Sequence, residues 1–462
     1  MKLKLYYKND KIKFLFVYIS LYILVYISTF NSKGFLLSIL LTLAMLLYFF
    51  IKVNKSNDIS NILFLPIFLS LFQNTYLGIL SPRLEKSNLQ FFTILNFLIG
   101  SLFLIMLLYI TKEKKQRNEK VIILLVFLII YSLLSLVFLE NVNLLSVLSS
   151  IRNVISIFVF YLLGSLAYKK TNISKFKNLV MFFGVIVILI GFYEVFINQD
   201  MWKLFNISTL WTKKGITLQP SGLPTNFYSS ETINGERIRR MTSTFADPVN
   251  LGTFLSALFC MAFNEKNKKI ITITLLAMIL TVSKGSLLSL LIFTLVYILY
   301  RKGPKAFLNI IIPILGIGVL FLVYAYKTSA NSVFLHISGL FSSFISLTKK
   351  PLGNGLGSTG VLAKQFSGVT SNANITESGL GMIIGQLGII GLILYILFFK
   401  FLYKNLRSIN NINDKILGMT LFISISVNIL FNEVALSPNS CALYFIIIGY
   451  LIAKKENVEV IE

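Results

Sequence analysis

The sequence predicts an all-α integral membrane protein, a single polytopic domain over residues 1–462 with about 14 membrane-spanning helices and both termini in the cytoplasm. Three observations carry that expectation. Apolar residues make up 56% of the chain and charged ones 13%, with a mean hydropathy of +0.79; a soluble domain of this size has too little interior to hide so much apolar surface. Apolar runs near the roughly 20 residues needed to cross a bilayer recur along the chain, parted by short polar breaks. Basic residues gather on alternate breaks, as the positive-inside rule requires.

The N-terminus carries Lys2, Lys4, Lys8, Lys11 and Lys13 before the first apolar run, 14–30. No small-residue cleavage site follows, so the run reads as an uncleaved anchor rather than a signal peptide. Spans are then expected at 35–51, 61–80, 91–110, 121–139, 148–168 and 179–197. After a long polar stretch come 248–263, 270–283, 285–300 and 306–324, and after a second one 378–399, 415–431 and 441–453. Thr281-Val282-Ser283-Lys284-Gly285 interrupts the 270–300 run with polar and flexible residues, which favours two short helices meeting at Lys284. Charge agrees: short outer turns such as 140–149 and 432–440 are nearly free of basic residues, and a single span at 270–300 would invert everything after it and put Arg301, Lys302 and Lys305 outside.

Two outer segments are long, about 199–247 and 325–376, and function concentrates on such loops. The first holds both tryptophans, Trp202 and Trp211, and a Gly/Pro/Ser-rich stretch around Pro220-Ser221-Gly222-Leu223-Pro224. The second opens at Val333–Phe341 with an apolar spacing that suits a short helix lying on the lipid interface.

Composition also excludes. The net charge of +25 is that of a chain with basic flanks facing the cytoplasm and anionic lipid, and no nucleic-acid partner is expected. Cys260 and Cys441 both lie in apolar segments, which speaks against a disulfide framework or a metal cluster. No phosphate-binding P-loop, zinc-ligand spacing or Ser/His/Asp motif occurs, so neither metal nor cofactor is expected. Gly355-Leu356-Gly357-Ser358-Thr359-Gly360 formally matches the dinucleotide fingerprint but follows no strand and belongs to no βαβ unit. Its glycines, Gly355 and Gly357 among them, can still bring backbone N–H groups close to a pyrophosphate.

The polar residues that break the oily pattern are the candidates for a site. Arg240 offers a donor fork that matches phosphate, or is an exposed loop charge; Arg239 lies farther from the helix mouth and has the weaker claim. Asp247-Pro248 reads as a helix N-cap followed by proline at N1, or as a carboxylate with a chemical role, with Asn250 one turn on. Lys284 and Arg152 lie near outer helix starts, where a cation faces an aqueous cavity or snorkels to headgroups. His336, the only histidine, suits a general base at neutral pH but is unremarkable on an interfacial helix. Glu377 stands at the outer start of a span, where it favours the helix N-terminus or, if burial raises its pKa, accepts a proton from a sugar hydroxyl.

Arg240-Met241-Thr242-Ser243-Thr244-Phe245-Ala246-Asp247-Pro248-Val249-Asn250-Leu251-Gly252 resembles a hallmark of the bacterial O-antigen polymerase and O-antigen ligase superfamily. Thr281-Val282-Ser283-Lys284-Gly285 is similar to that family's Ser-Arg-Gly turn, with lysine in place of the usual arginine. Pro351-Leu352-Gly353-Asn354-Gly355-Leu356-Gly357 is similar to its Pro-x-Gly-x-Gly-x-Gly loop, and Glu377 through Gln386-Leu387-Gly388-Ile389-Ile390-Gly391 to the helix after it. The resemblance spans about 240–395 and keeps the family's order. It implies a GT-C-like, metal-independent membrane glycosyltransferase acting on undecaprenyl-diphosphate-linked oligosaccharides at the outer face, alongside a flippase and a chain-length regulator. Arg240, Lys284 and Arg152 would hold the diphosphate and stabilise the departing charge, and Glu377 or His336 would activate the acceptor hydroxyl. Ligases of the superfamily carry a histidine where this chain reads Asn374-Ile375-Thr376-Glu377, so polymerase is preferred to ligase. A secondary transporter is the rival from another class, but broken helices paired between two repeated halves, its usual sign, are missing: only the 270–300 break is visible.

Overall fold

Apolar runs in lipid have no water to satisfy their backbone, so they close their hydrogen bonds within helices. The computed structural model describes residues 2–110, 115–138, 144–233, 236–361 and 377–458. In chain order its helices are α1 Lys2–Ile27, α2 Ser32–Lys55, α3 Ser60–Leu80, α4 Lys86–Thr93, α5 Leu95–Ile110, α6 Lys115–Leu134, α7 Leu144–Ala167 and α8 Ile173–Phe196. Two short helices follow, α9 Met201–Leu204 and α10 Ile207–Lys213, then an antiparallel hairpin of β1 Tyr228–Ile233 and β2 Glu236–Arg239. The chain continues through α11 Pro248–Asn264, α12 Lys268–Leu280, α13 Lys284–Lys302, α14 Pro304–Lys349, α15 Gly379–Arg407, α16 Ile412–Phe431 and α17 Pro438–Val458.

The protein is an all-α membrane protein by composition and architecture. Among the described residues, seven helices are long and apolar enough to cross a bilayer, or eight if α4 and α5, bent by 45° at Ile94, form one span. Fourteen were expected; α11 and α12, with 17 and 13 residues, fall at or below the length a single crossing needs. The expected break at 281–283 is present, with Val282 in the left-handed region (φ 46°) between α12 and α13. The second long loop is shorter than expected. Residues 325–349 continue α14, a 46-residue helix about 69 Å long, so Val333–Phe341 is part of a continuous rod rather than a separate interfacial helix. Residues 362–376 lie outside the described residues. The first long loop is folded rather than loose: α9, α10 and the hairpin occupy it, and Trp202 is fully buried beneath them.

At the centre α17 packs along α7. The two backbones approach closely because glycines face each other's carbonyls: a Cβ on Gly164 would lie 2.0 Å from the Ile446 oxygen, and one on Gly449 2.1 Å from the Tyr161 oxygen. Small residues at a helix interface allow such contact. Near the N-terminus of α8, the buried Lys175 ammonium bridges Asp10 at 2.8 Å and Asp58 at 3.1 Å, tying α1 and the chain before α3 to α8.

The glycine-rich segment 351–360 is explained by a helix break. Gly388 has φ 58° inside α15, which frees the carbonyls of Gly385 and Gln386 and the N–H of Ile389. The loop supplies their partners: Asn354 N–H donates to Gly385 O (2.8 Å), Gly355 N–H to Gln386 O (3.0 Å), and Ile389 N–H donates to Pro351 O (2.9 Å). A Cβ on Gly388 would lie 2.1 Å from the Pro351 oxygen. Gly388→Ala is therefore expected to cost well over the roughly 1 kcal/mol typical of alanine at positive φ, read as a lowered apparent Tm in detergent; an unchanged Tm would rule this packing out.

Candidate functional site

The segment Arg239–Asp247 is built on a buried carboxylate. Glu194, 1% exposed on α8, accepts hydrogen bonds from Thr242 N–H (3.0 Å), Ser243 N–H (2.6 Å) and Thr242 Oγ1–H (2.7 Å). Arg239 Nη2 completes its shell at 2.7 Å, its guanidinium carbon 4.7 Å from the Phe227 ring centroid. Those partners hold a tight 3-10 turn, Ser243–Phe245, in which Ser243 (φ 46°) and Ala246 (φ 50°) both take left-handed backbone conformations. Such strain persists where surrounding contacts over-determine it. The turn delivers Asp247 to the N-cap of α11, where it accepts from Val249 N–H at 3.1 Å and from Asn250 Nδ2. The capping expected of Asp247-Pro248 is present.

Asp247 and Asn250 line a polar cavity of about 310 Å³, within the range of small-ligand sites. Gln73 and Asn74 of α3, Arg152 and Asn153 of α7, Lys213 and Lys214 at the end of α10, and Glu433 before α17 share its wall. Asn250 Oδ1 accepts from Ser437 and Ser440 (3.2 and 2.7 Å), joining α11 to the start of α17. Glu433, 2% exposed, takes the Val361 N–H on Oε2 at 2.6 Å, so the far end of the glycine-rich loop reaches the same cavity.

Three cations and two carboxylates thus meet in one recess. Lys213 Nζ donates to the carbonyls of Ser81 (2.6 Å) and Leu84 (2.5 Å). Lys214 Nζ donates to Asn74 Oδ1 at 3.3 Å and lies 4.8 Å from the Trp211 ring centroid. Burial, then the charge of Arg152, lowers the Lys214 ammonium to a pKa of about 7, against the opposing pull of Asp247. Burial likewise pushes the Asp247 carboxyl above the ordinary carboxylate range, although the Val249 N–H and the charge of Arg240 favour its ionised form. Chemically, the recess pairs fixed positive charge for an anion with carboxylates able to accept a proton.

The sequence-derived candidates divide. Arg152, Asp247 and Asn250 come together on the cavity wall. Arg240 lies within electrostatic reach of Asp247, with its Nε donating to Thr281 O at 3.0 Å. Arg239 pairs with Glu194, so its fork already serves a buried carboxylate. Lys284 begins α13 with an exposed side chain and does not line the cavity. Glu377 is half-buried, and its carbonyl accepts the Glu433 N–H at 2.7 Å, which sets it beside the cavity's acid. His336 belongs to α14, and its side chain lies outside the described residues. The Gly355 N–H serves α15, and Gly357, with φ 77°, packs against the backbone of Ser146 and Val147 while its carbonyl accepts from Ser146 Oγ.

Glu194, Lys213, Lys214 and Glu433 escaped the sequence reading. A carboxylate inside the apolar run 179–197 was a visible signal, since ionisable groups at membrane depth demand a partner. Lys214 and Glu433 gave no local signal beyond lying on outer connections. Comparison with known proteins finds no family model that matches the chain and no curated protein that matches it.

Proposed function

We propose that this protein is a membrane glycosyltransferase that polymerises undecaprenyl-diphosphate-linked oligosaccharide repeat units at the outer face of a bacterial cytoplasmic membrane, in a GT-C-like bundle of fourteen spans with both ends inside. The observation that carries the proposal is the gathering of Arg152, Lys213 and Lys214 with Asp247 and Glu433 in one recess. All five stand on segments that the positive-inside pattern assigns to the outer side.

In this reading the diphosphate of the donor lies against Arg152 and Lys214, which stabilise the charge that develops as the sugar–phosphate bond breaks. The acceptor hydroxyl oxygen attacks the anomeric carbon, undecaprenyl diphosphate leaves with the bonding electrons, and the hydroxyl proton passes to Glu433. Asp247, pinned by Val249 and Asn250, orders the cation side of the recess and balances its charge. Arg240 acts on the recess through its charge on Asp247, and Lys284 is not among the residues that line it.

The test is direct. Purified protein given lipid-linked repeat units is expected to yield longer glycans, and Arg152→Gln to lower the rate roughly 100-fold or more, as loss of one charge-stabilising group does elsewhere. A deletion strain is expected to carry single repeat units on its acceptor. Unaltered chain length in that strain, or wild-type activity in Arg152→Gln, would reject the proposal; a bare acceptor with accumulated lipid-bound polymer would point to a ligase instead.

A further inference from the structure

The ends of α11, α13 and α16 farthest from the polar recess enclose a second cavity, of about 350 Å³. The 17 residues of α11 separate the two by about 25 Å. Its rim carries Lys266, Lys268 and Arg301, with Asn264 and Asn413 between them. Its floor is apolar: Phe263, Phe293 and Tyr297 form an aromatic wall, with the Phe263 ring centroid 4.8 Å from Phe293 and 5.4 Å from Tyr297, facing Ile416 and Leu417.

The positive charge of the rim is not neutralised locally. Both lysines and Arg301 are exposed, and among the described residues none of the three forms an ion pair; Arg301 Nη2 donates to the neutral Asn413 Oδ1. The nearest acids in sequence are engaged elsewhere, Glu265 with Lys177 at 2.6 Å and Asp414 with Lys454 at 2.5 Å. Lys266 is also held in the left-handed region, φ 54°, where a residue with a side chain is strained. A rim of cations above an aromatic, aliphatic floor at the end of membrane-type helices matches an amphiphile with an anionic head. A soluble phosphate compound would leave the floor unused, whereas a bilayer lipid fills both halves.

We propose that this cavity is a binding site for an anionic glycerophospholipid of the adjoining leaflet, its phosphate held by Lys266, Lys268 and Arg301 and an acyl chain laid against Phe293, Tyr297 and Ile416. Basic pockets between membrane helices are suited to such headgroups. The site is independent of the polymerase reading, because it shares no residue with the polar recess.

The full-length protein, purified in mild detergent and exposed to equal amounts of phosphatidylglycerol and phosphatidylcholine, is expected to retain the former about tenfold more in native mass spectrometry, the order that a few screened phosphate contacts supply. Combining Lys266→Gln, Lys268→Gln and Arg301→Gln should remove that preference without lowering the melting temperature of the lipid-free protein. Retention of both lipids alike by the wild type, or an intact preference in the triple variant, overturns the proposal. Displacement of phosphatidylglycerol by millimolar glycerol 3-phosphate overturns the lipid as occupant and leaves a soluble phosphate in its place. Should the triple variant fail to fold, a photoreactive phosphatidylglycerol on the wild type decides: crosslinks at Phe263, Tyr297 or Ile416 are expected, and crosslinks confined to other helices overturn the site.

Discussion

Glu194→Ala is expected to unfold or prevent assembly of this protein more effectively than any substitution on the cavity wall. The alanine would leave Arg239, 14% exposed at its side chain, without its carboxylate, and would strip acceptors from two backbone N–H groups and one hydroxyl. Breaking a buried ion pair from one side costs about 3–5 kcal/mol, because the surviving charge stays in a low dielectric. The strained Ser243–Ala246 turn adds to the effect, since its two left-handed residues would keep the bonds of Ser243 Oγ–H to Val187 O and Asn74 Nδ2–H to Phe245 O but lose the carboxylate that gathers Thr242 and Ser243. Arg239→Ala should be damaging but less so, because Glu194 loses its counter-charge while keeping the three donors from Thr242 and Ser243. The pair Glu194→Gln with Arg239→Met removes both charges and should recover a large share of the loss. Apparent Tm and monodispersity in detergent measure this. If the two single variants melt with the wild type, the carboxylate does not organise the segment.

Activity on the lipid-linked substrate is expected to fall as pH rises through about 7. The Lys214 ammonium, lowered to about 7 by burial and the Arg152 charge, carries its proton below that pH and loses it above. The recess therefore holds its full positive complement on the acid side and surrenders one charge on the alkaline side, which weakens its hold on an anion. Asp247, which faces the same lysine, opposes the loss by favouring the protonated form. Lys214→Arg should erase the descending limb, because a guanidinium keeps its proton throughout this pH range. Lys214→Met should give a low, flat profile, down by as much as roughly 100-fold at pH 6. The rate of glycan extension between pH 5.5 and 8.5 reads all three. An unshifted alkaline limb in Lys214→Met would assign the titration to another group.

Much of this was legible in the residues. The long apolar runs announce helices because lipid leaves them no other way to satisfy their backbone, and the interruption at 281–283 was visible as polar residues in an oily run. Asp247-Pro248 declared its cap, a property set by neighbours two residues away. Glycine spacing at 351–360 was equally visible, but its purpose was not. The pattern suggests phosphate cradling, whereas the N–H groups of Asn354 and Gly355 turn toward a break in α15 more than thirty residues on.

Local pattern, then, determined that this chain lives in a bilayer, that a helix breaks at 281–283, that Asp247 caps α11, and which connections carry unusual polarity. Only the tertiary structure decided which polar residues meet. Arg239 and Arg240 are adjacent, yet one turns to Glu194 on α8 and the other to Thr281 at the end of α12. Lys214 and Glu433, more than two hundred residues apart, line one recess with Arg152. Helical periodicity and hydropathy act over a few turns and can be read along the chain; the desolvation of a charge and the partner that offsets it depend on how distant helices pack.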